Sequence, residues 1–188
     1  MRQAKLVKRE ILFDKYGKKF IVDNLEQLDG KPDFWAYVSA PRGSIIVAID
    51  KDKNLILVHQ YRYTLKDFTY ENPAGAADKN ENLLETANRE LFEETGYKSN
   101  QFINLGNFHD LPNETDHQCQ IFLALNCQFI EKPALDPFSE IYCEMTTEIH
   151  PFIDIYNSLG QDTSLIKSSE HTAAIFLAHR YLSTHNLL

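Results

Sequence analysis

Cysteine is scarce, with three in 188 residues. Cys119, Cys127 and Cys143 are odd in number and lack ligand-like spacing, so neither a disulfide framework nor a structural zinc is expected. Each reads as a reduced thiol on or near a strand, in a cytoplasmic protein. The histidines (His59, His109, His117, His150, His171, His179 and His185) show no paired spacing either. Long apolar runs are also missing. Nowhere do 18 apolar residues follow one another, and the opening MRQAKLVKRE has no apolar segment of a secretion signal, so no membrane span is expected. Positive charge is in short supply: 19 Lys and Arg against 27 Asp and Glu give a net charge of −8. That argues against broad binding to nucleic acid or anionic membrane, which favours basic patches. Internal repeats and low-complexity tracts are absent.

What is present fits one globular domain with a real core, at 43% hydrophobic and 24% charged residues. Residues 4–40 read as strands, KLVKREILFD and KKFIVDNLEQL, separated by a Lys-Tyr-Gly turn. A two-strand hairpin is marginal by itself and must dock somewhere. Next come strands at Ser44–Ile49 and Leu55–Tyr61, an apolar segment at Phe102–Phe108 and a strand at Gln120–Leu125. A strand over Ile141–Met145, a helix over Glu148–Ser158 stopped by Gly160, and a last helix over Glu170–Ser183 with Ser169 as N-cap complete the pattern. A mixed sheet clasped between helices follows.

The most informative stretch is GAADKNENLLETANRELFEETGY, Gly75 to Tyr97. Asn82 reads as an N-cap with Glu85 three residues on, a capping box, and Gly96 as the C-terminal stop. Leu83, Leu84, Ala87 and Leu91 recur at helical spacing as the buried stripe. Glu90, Glu93 and Glu94 form a second stripe beside it. Like charges one helical turn apart repel, by more where burial strips their water. Oxygen ligands converging from adjacent turns suit Mg²⁺ or Mn²⁺, which take a few carboxylates and leave positions for substrate phosphates. Arg89, between Glu85 and Glu93, is expected to tie down carboxylates and fix the loop.

At every defined position this stretch resembles the Nudix box, G-x5-E-x7-R-E-U-x-E-E-x-G-U with U bulky and apolar. Gly75, Glu81, Arg89, Glu90, Leu91, Glu93, Glu94, Gly96 and Tyr97 fill the pattern. The resemblance runs from about Phe34 to Leu182. SIIVAIDKDKNLILVHQYRY, ENPAG at Glu71 to Gly75, and Pro112, fifteen residues after Tyr97, are similar to the ADP-ribose pyrophosphatase branch. The loop LPNETDHQ departs from that branch, which often carries Ser-Pro-Gly and then a glutamate; Glu114 stands near that glutamate's place.

The resemblance implies an α+β fold, an α/β/α sandwich with a mixed sheet between helices. Residues 1–40 would be an N-terminal antiparallel strand extension that dimerises the protein, and residues 41–188 the Nudix domain. It implies metal ligation by Glu90, Glu94 and the carbonyl of Ala74, with Glu93 a further ligand or outer-shell partner, and Mg²⁺ (or Mn²⁺) as cofactor. The general base would be Glu140, with Glu114 the fallback. Arg62, Glu71 and Pro112 are expected at the substrate, since the planar Arg62 fork suits phosphate. Arg42 and His117 are weaker candidates. Phe34, Trp35 and Tyr37 offer a stacking face for adenine, or core packing. The reaction implied is ADP-ribose plus water giving AMP and ribose 5-phosphate. Alternatives are another nucleoside diphosphate sugar such as GDP-mannose, a non-hydrolytic ligand sensor, and a pyrophosphohydrolase of RNA 5′ ends, which the acidic composition disfavours.

Overall fold

The computed structural model of the chain describes residues 3–133 and 145–188, which form two compact units. The first unit comprises residues 1–42 and 108–119. Its strands β1 (Lys5–Lys15), β2 (Lys18–Glu26) and β3 (Pro32–Ser39) make an antiparallel sheet in that order. Tyr16 and Gly17 join β1 to β2 with φ of 54° and 72°, the doubly left-handed turn that matches strand twist. Instead of the expected pair there are three strands. Gly30, at φ 84°, turns the chain after β2, and Pro32 to Ser39 adds a third strand. Three strands reach the size at which a small sheet holds together. Residues 110–117 dock on β3: Val38 N–H donates to the Glu114 carbonyl at 2.9 Å, and Asp116 N–H to the Val38 carbonyl at 3.3 Å.

The second unit comprises residues 43–107 and 120–188. Its elements are β4 (Gly43–Asp50), β5 (Asn54–Arg62), β6 (Asp67–Glu71), β7 (Ala74–Ala76), α1 (Leu83–Thr95), β8 (Tyr97–Lys98), β9 (Gln101–His109), β10 (Gln118–Phe129), β11 (Thr146–Pro151), α2 (Phe152–Ser158) and α3 (Ser169–Thr184); β9 and β10 reach into the first unit at one end. The mixed sheet runs β11-β5-β4-β10-β8, with β6 beside β5, β7 beside β4 and β9 beside β10. Every residue of β4 from Gly43 to Ile49 is buried, as a strand covered on both faces requires. One face, Ile46, Ala48 and Ile56, meets Leu83, Ala87 and Leu91 of α1 together with Phe122, Ala124 and Cys127. The alternate residues Ile45, Val47 and Ile49 point the other way. There α3 packs on β4 through its stripe of His171, Ala174, Ile175, Ala178 and Leu182. This is the α/β/α sandwich expected from sequence.

Local differences have local causes. Glu148 to Pro151, expected to begin a helix, belongs instead to β11, an antiparallel partner of β5 with Thr146 opposite His59 and Pro151 opposite Asn54. β-Branched Thr146, Thr147 and Ile149 favour the strand, and the helix starts only after Pro151. The strand expected at Ile141–Met145 lies, apart from Met145, outside the described residues, as do Glu140 and Cys143. The last helix is capped by Ser168 rather than Ser169, without a side-chain capping bond. Cys119 and Cys127 are buried, and burial pushes the Cys127 thiol up to about 12. Among the described residues, no helix is long and apolar enough to cross a membrane.

The stripe of α1 also differs from expectation. Leu84 is 45% exposed, whereas Thr86 is buried with its hydroxyl donating to Glu81 and to the Asn82 carbonyl. Leu91→Ala is therefore expected to destabilise the protein by about 2–5 kcal/mol, and Leu84→Ala by no more than about 0.5 kcal/mol. Urea denaturation of the two variants checks this; equal losses would contradict the packing.

Candidate active site

Helix α1 begins where its sequence says it should. Asn82 Oδ1 accepts from the N–H groups of Leu84 at 3.1 Å and Glu85 at 3.0 Å, and Glu85 Oε2 accepts from Asn82 N–H at 3.0 Å. Glu85 is thus occupied by the cap and is not tied by Arg89. Gly96 closes the helix at φ 73°, its N–H donating to the Phe92 carbonyl. A Cβ there would collide with the Glu131 carbonyl.

Arg89 is the hub between the helix and the loop before it. Its Nε and Nη2 each donate at 3.0 Å to the Glu81 carboxylate, Nη1 donates to Glu90 at 2.7 Å and Glu93 at 3.0 Å, and Nη2 also reaches the Ala76 carbonyl at 3.0 Å. The guanidinium holds the Glu81 carboxyl down to about 2, helped by Asp78 N–H and Thr86 Oγ1. Its own pKa rises in turn, through its bonds to Glu81.

The other two acids are placed by the short strand β7. Ala74 lies opposite Ile45 and Gly75 opposite Ser44, so β4 fixes this backbone. Ala74 N–H donates to Glu94 Oε2 at 2.9 Å. A Cβ on Gly75 would overlap the Glu90 carboxylate, so glycine is what lets that carboxylate lie against the backbone. Burial raises the Glu90 carboxyl despite neighbouring Arg89. Burial pushes Glu94 up to about 8, with Glu90 and Glu71 adding to the rise while Ala74 N–H and Arg62 oppose it. Glu94 keeps some exposed surface although protein atoms surround it.

Among the described residues, no three His, Cys, Asp or Glu side chains are already gathered round one point. The donors nonetheless fit a hard divalent cation. They are oxygen ligands on a cradle that a Cβ would fill, and burial disfavours their negative charge unless positive charge arrives.

Another buried acid, Glu71, lies within electrostatic reach of Glu94. Arg62, at the end of β5, grips Glu71 with both arms: Nε donates to Oε1 at 2.8 Å, and Nη2 makes a short bond to Oε2. Gln60 Nε2 adds a bond of 3.2 Å. Burial alone would raise Glu71, but Arg62 and His171 outweigh it and hold the carboxyl at about 2. Glu71 is 4% exposed, so its oxygens face protein groups and not an open substrate pocket.

The family model of the NUDIX domain matches residues 40–154, well over half of the chain. The chain belongs to the Nudix family of hydrolases. It is 33% identical over 122 residues to a methanol dehydrogenase activator of Bacillus methanolicus, covering 65% of this chain and 66% of that protein. It is 29% identical over 130 residues to an ADP-ribose pyrophosphatase of Bacillus subtilis, covering 69% and 70%. A shorter stretch of 89 residues is 34% identical to an ADP-ribose pyrophosphatase of Mycobacterium tuberculosis, covering 47% and 43%. The crystal structure of an ADP compounds hydrolase superposes with a TM-score of 0.84 at 20% identity, over 100% of this chain and 98% of that one, and so shares its fold.

Seven of the expected Nudix positions, Ala74, Gly75, Glu81, Arg89, Glu90, Glu93 and Glu94, come together in the second unit, with Arg62 and Glu71 within electrostatic reach of Glu94. The remaining described candidates lie in the first unit. Phe34 and Trp35 are neighbours on β3, 64% and 49% exposed. Strand alternation sends them to opposite faces of the sheet, so one face offers only one of them. Trp35 lies opposite Asp23, which Arg9 holds through two bonds of 2.7 Å, and the Arg9 guanidinium is 6.0 Å from the centre of the Tyr37 ring. Pro112 and Glu114 are exposed on a turn closed by Glu114 N–H to the Leu111 carbonyl at 2.8 Å, and His117 is bonded to Asp110. Arg42 is exposed. Sequence reasoning missed His171, which no spacing marks; it is 4% exposed and contacts both Glu71 and Asn72.

The shifted carboxyls give opposite pH signatures. Glu94 rises from 4.5 to about 8 on folding, so the folded Nudix domain keeps a proton that the unfolded chain releases between these values. Its stabilising effect is complete below about pH 4.5 and is lost as the pH rises to about 8. Glu71 and Glu81, lowered to about 2, act in reverse: their contribution is present above about pH 4.5 and lost as the pH falls toward about 2. In EDTA, melting temperature is expected to decline from about pH 5 to pH 8 in the wild type and less steeply in Glu94→Gln. Identical slopes would contradict the shift.

Proposed function

We propose that this Nudix protein hydrolyses the pyrophosphate bond of ADP-ribose, giving AMP and ribose 5-phosphate, in a divalent-metal-dependent reaction. The observation that carries the proposal is the pair of desolvated carboxylates, Glu90 and Glu94, set against the Ala74–Gly75 backbone. Similarity to ADP-ribose pyrophosphatases of two bacteria supports the substrate.

Glu90, Glu94 and the Ala74 carbonyl would hold Mg²⁺ or Mn²⁺, with Glu93 at its edge. Such a cation supplies charge neutralisation for the diphosphate and makes water more acidic. Arg89 positions Glu90 and Glu93 and joins them to the loop. Arg62, fixed at a strand end by Glu71, offers positive charge for a phosphate. Glu140 is assigned as general base, with Glu114 as the fallback. Phe34 or Trp35, one of them per face, stacks on the adenine, and Pro112 shapes the loop beside the substrate.

Incubation of the full chain with Mg²⁺ and, separately, ADP-ribose, ADP-glucose, GDP-mannose, NADH and a diadenosine polyphosphate tests this reading against an EDTA control. EDTA-sensitive preference for ADP-ribose is expected, and Glu94→Gln should lower kcat by more than about 100-fold, beyond what a change in an outer-shell residue gives. Preference for another substrate moves the specificity to the LPNETDHQ loop. Silence on all five from folded protein overturns the hydrolase and leaves a ligand sensor, a reading that similarity to a methanol dehydrogenase activator favours.

We also assign residues 1–40 as a dimerisation extension to the domain at 41–188, in a cytoplasmic homodimer. Val7, Leu12 and Phe34, 64%, 63% and 64% exposed, make the strands apolar where a lone sheet would be polar. Light scattering should give the mass of two chains for the wild type and of one for the double variant Val7→Lys, Leu12→Lys. A monomeric wild type would remove the assignment.

A further inference from the structure

The Nudix site is presented by a five-residue passage, Glu71 to Gly75, between β6 and β7. Its ends are secured: Glu71 by Arg62 and Gln60, and Ala74 and Gly75 by pairing with β4. Pro73 has no N–H to give, and its carbonyl accepts from Ile46 N–H at 2.9 Å. That leaves the Asn72 corner, which is fully buried and whose N–H needs a partner.

His171 of α3 provides it. Asn72 N–H points at Nδ1 at 3.2 Å, and the Asn72 side-chain amide lies 3.3 Å from the same atom. A backbone N–H can only donate, so Nδ1 must accept, and the ring proton of the neutral imidazole is on Nε2. Nε2 is 3.5 Å from Glu71 Oε2. One ring therefore faces the Asn72 corner with its acceptor and Glu71 with its donor. The Asn72 amide also reaches the His171 carbonyl at 3.4 Å, fastening the corner to the first turn of α3.

We propose that His171 is a positioning residue of the Nudix site, setting the corner from which Ala74 N–H meets Glu94 and Gly75 lies against Glu90. The inference rests on the metal-dependent reading above. It assigns α3, which lies beyond the 40–154 family match, a part in metal binding that the box does not contain. Through Glu71 the same ring also steadies Arg62, so metal and phosphate recognition share one support.

Two substitutions separate the two bonds of the ring. In His171→Asn the side-chain oxygen stands near the place of Nδ1 and accepts the Asn72 N–H; in His171→Gln the amide nitrogen stands near the place of Nε2 and restores only the bond to Glu71. His171→Phe keeps the bulk and loses both. Full-length variants are compared by Mn²⁺ binding, read from the free-ion paramagnetic resonance signal, and by the metal dependence of ADP-ribose hydrolysis. Mn²⁺ affinity is expected to fall about 10-fold or more in the Gln and Phe variants, with substantial recovery in the Asn variant and a smaller change in KM for ADP-ribose.

Wild-type Mn²⁺ binding in the Gln or Phe variant would overturn the proposal, as would equal losses in all three that follow melting temperature. If the Phe variant does not fold, the Asn and Gln pair still decides. A wild type that binds Mn²⁺ and turns over substrate beside unaffected variants defeats this inference alone. A wild type that does neither defeats the functional reading and this inference with it.

Discussion

Glu90 and Glu94 lie one helical turn apart, and burial raises both carboxyls, so the fold has to hold together two groups that would separate in water. The stability for this comes from the other side of the same helix. Leu83, Ala87 and Leu91 pack against Ile46, Ala48 and Ile56 of the sheet, and each large buried side chain contributes about 1.5–3 kcal/mol. The capping box contributes about 1 kcal/mol. Repulsion between exposed acids one turn apart costs only a few tenths, and even the larger cost under burial is outweighed by a helix anchored at both ends. An isolated helix of this sequence would not keep the acids so close.

Arg89 arranges the acids around it. Its planar fork meets Glu81, Glu90, Glu93 and the Ala76 carbonyl, so a single cation orders three carboxylates and a loop. A partly buried ion pair is a weak source of stability, since desolvation offsets attraction, but a good source of geometry. Glu94 is left outside this net, accepting from the Ala74 backbone N–H, and its carboxyl rises furthest among the described acids. The contrast between Glu81 near 2 and Glu94 near 8 thus comes from the Arg89 bonds on one and the burial of the other. Charge is neutralised on the loop side and left wanting on the strand side, where a cation would be received.

The box was legible because its geometry is local. Helical periodicity fixes the spacing of Glu90, Glu93 and Glu94, and the cap residues announce where the helix starts and stops. The central strands were legible for the same reason, as apolar runs bounded by turns. What escaped was set by hydrogen bonds and tertiary pairing that apolar spacing does not register. Leu84 was assigned inward by its apolarity, yet Thr86 is the buried residue because Glu81 and the Asn82 carbonyl satisfy its hydroxyl. Thr146 to Pro151 became a strand because β5 had a free edge to pair with. The partner of His171 lies 99 residues away, and no local pattern marks a histidine for such a role.

Glu71 shows how a motif can be right while the role first attached to it changes. Its place in E-x-P-A-G led to an expectation of substrate contact, but a carboxylate ringed by Arg62, Gln60 and His171 has little acceptor capacity to spare. What it does is hold Arg62. An arginine side chain at a strand end would otherwise sample many rotamers, and ordering it on binding has a cost of about 0.5–1.5 kcal/mol. Here two bonds to a buried anion fix it in advance, while 46% of the side chain stays exposed. The pairing is asymmetric by design of the burial: Glu71, at 6% side-chain exposure, is the fixed member and Arg62 the one that can still meet solvent or a ligand. In the proposed reaction, phosphate recognition at this strand end would fall to the cation, with the acid holding it from within.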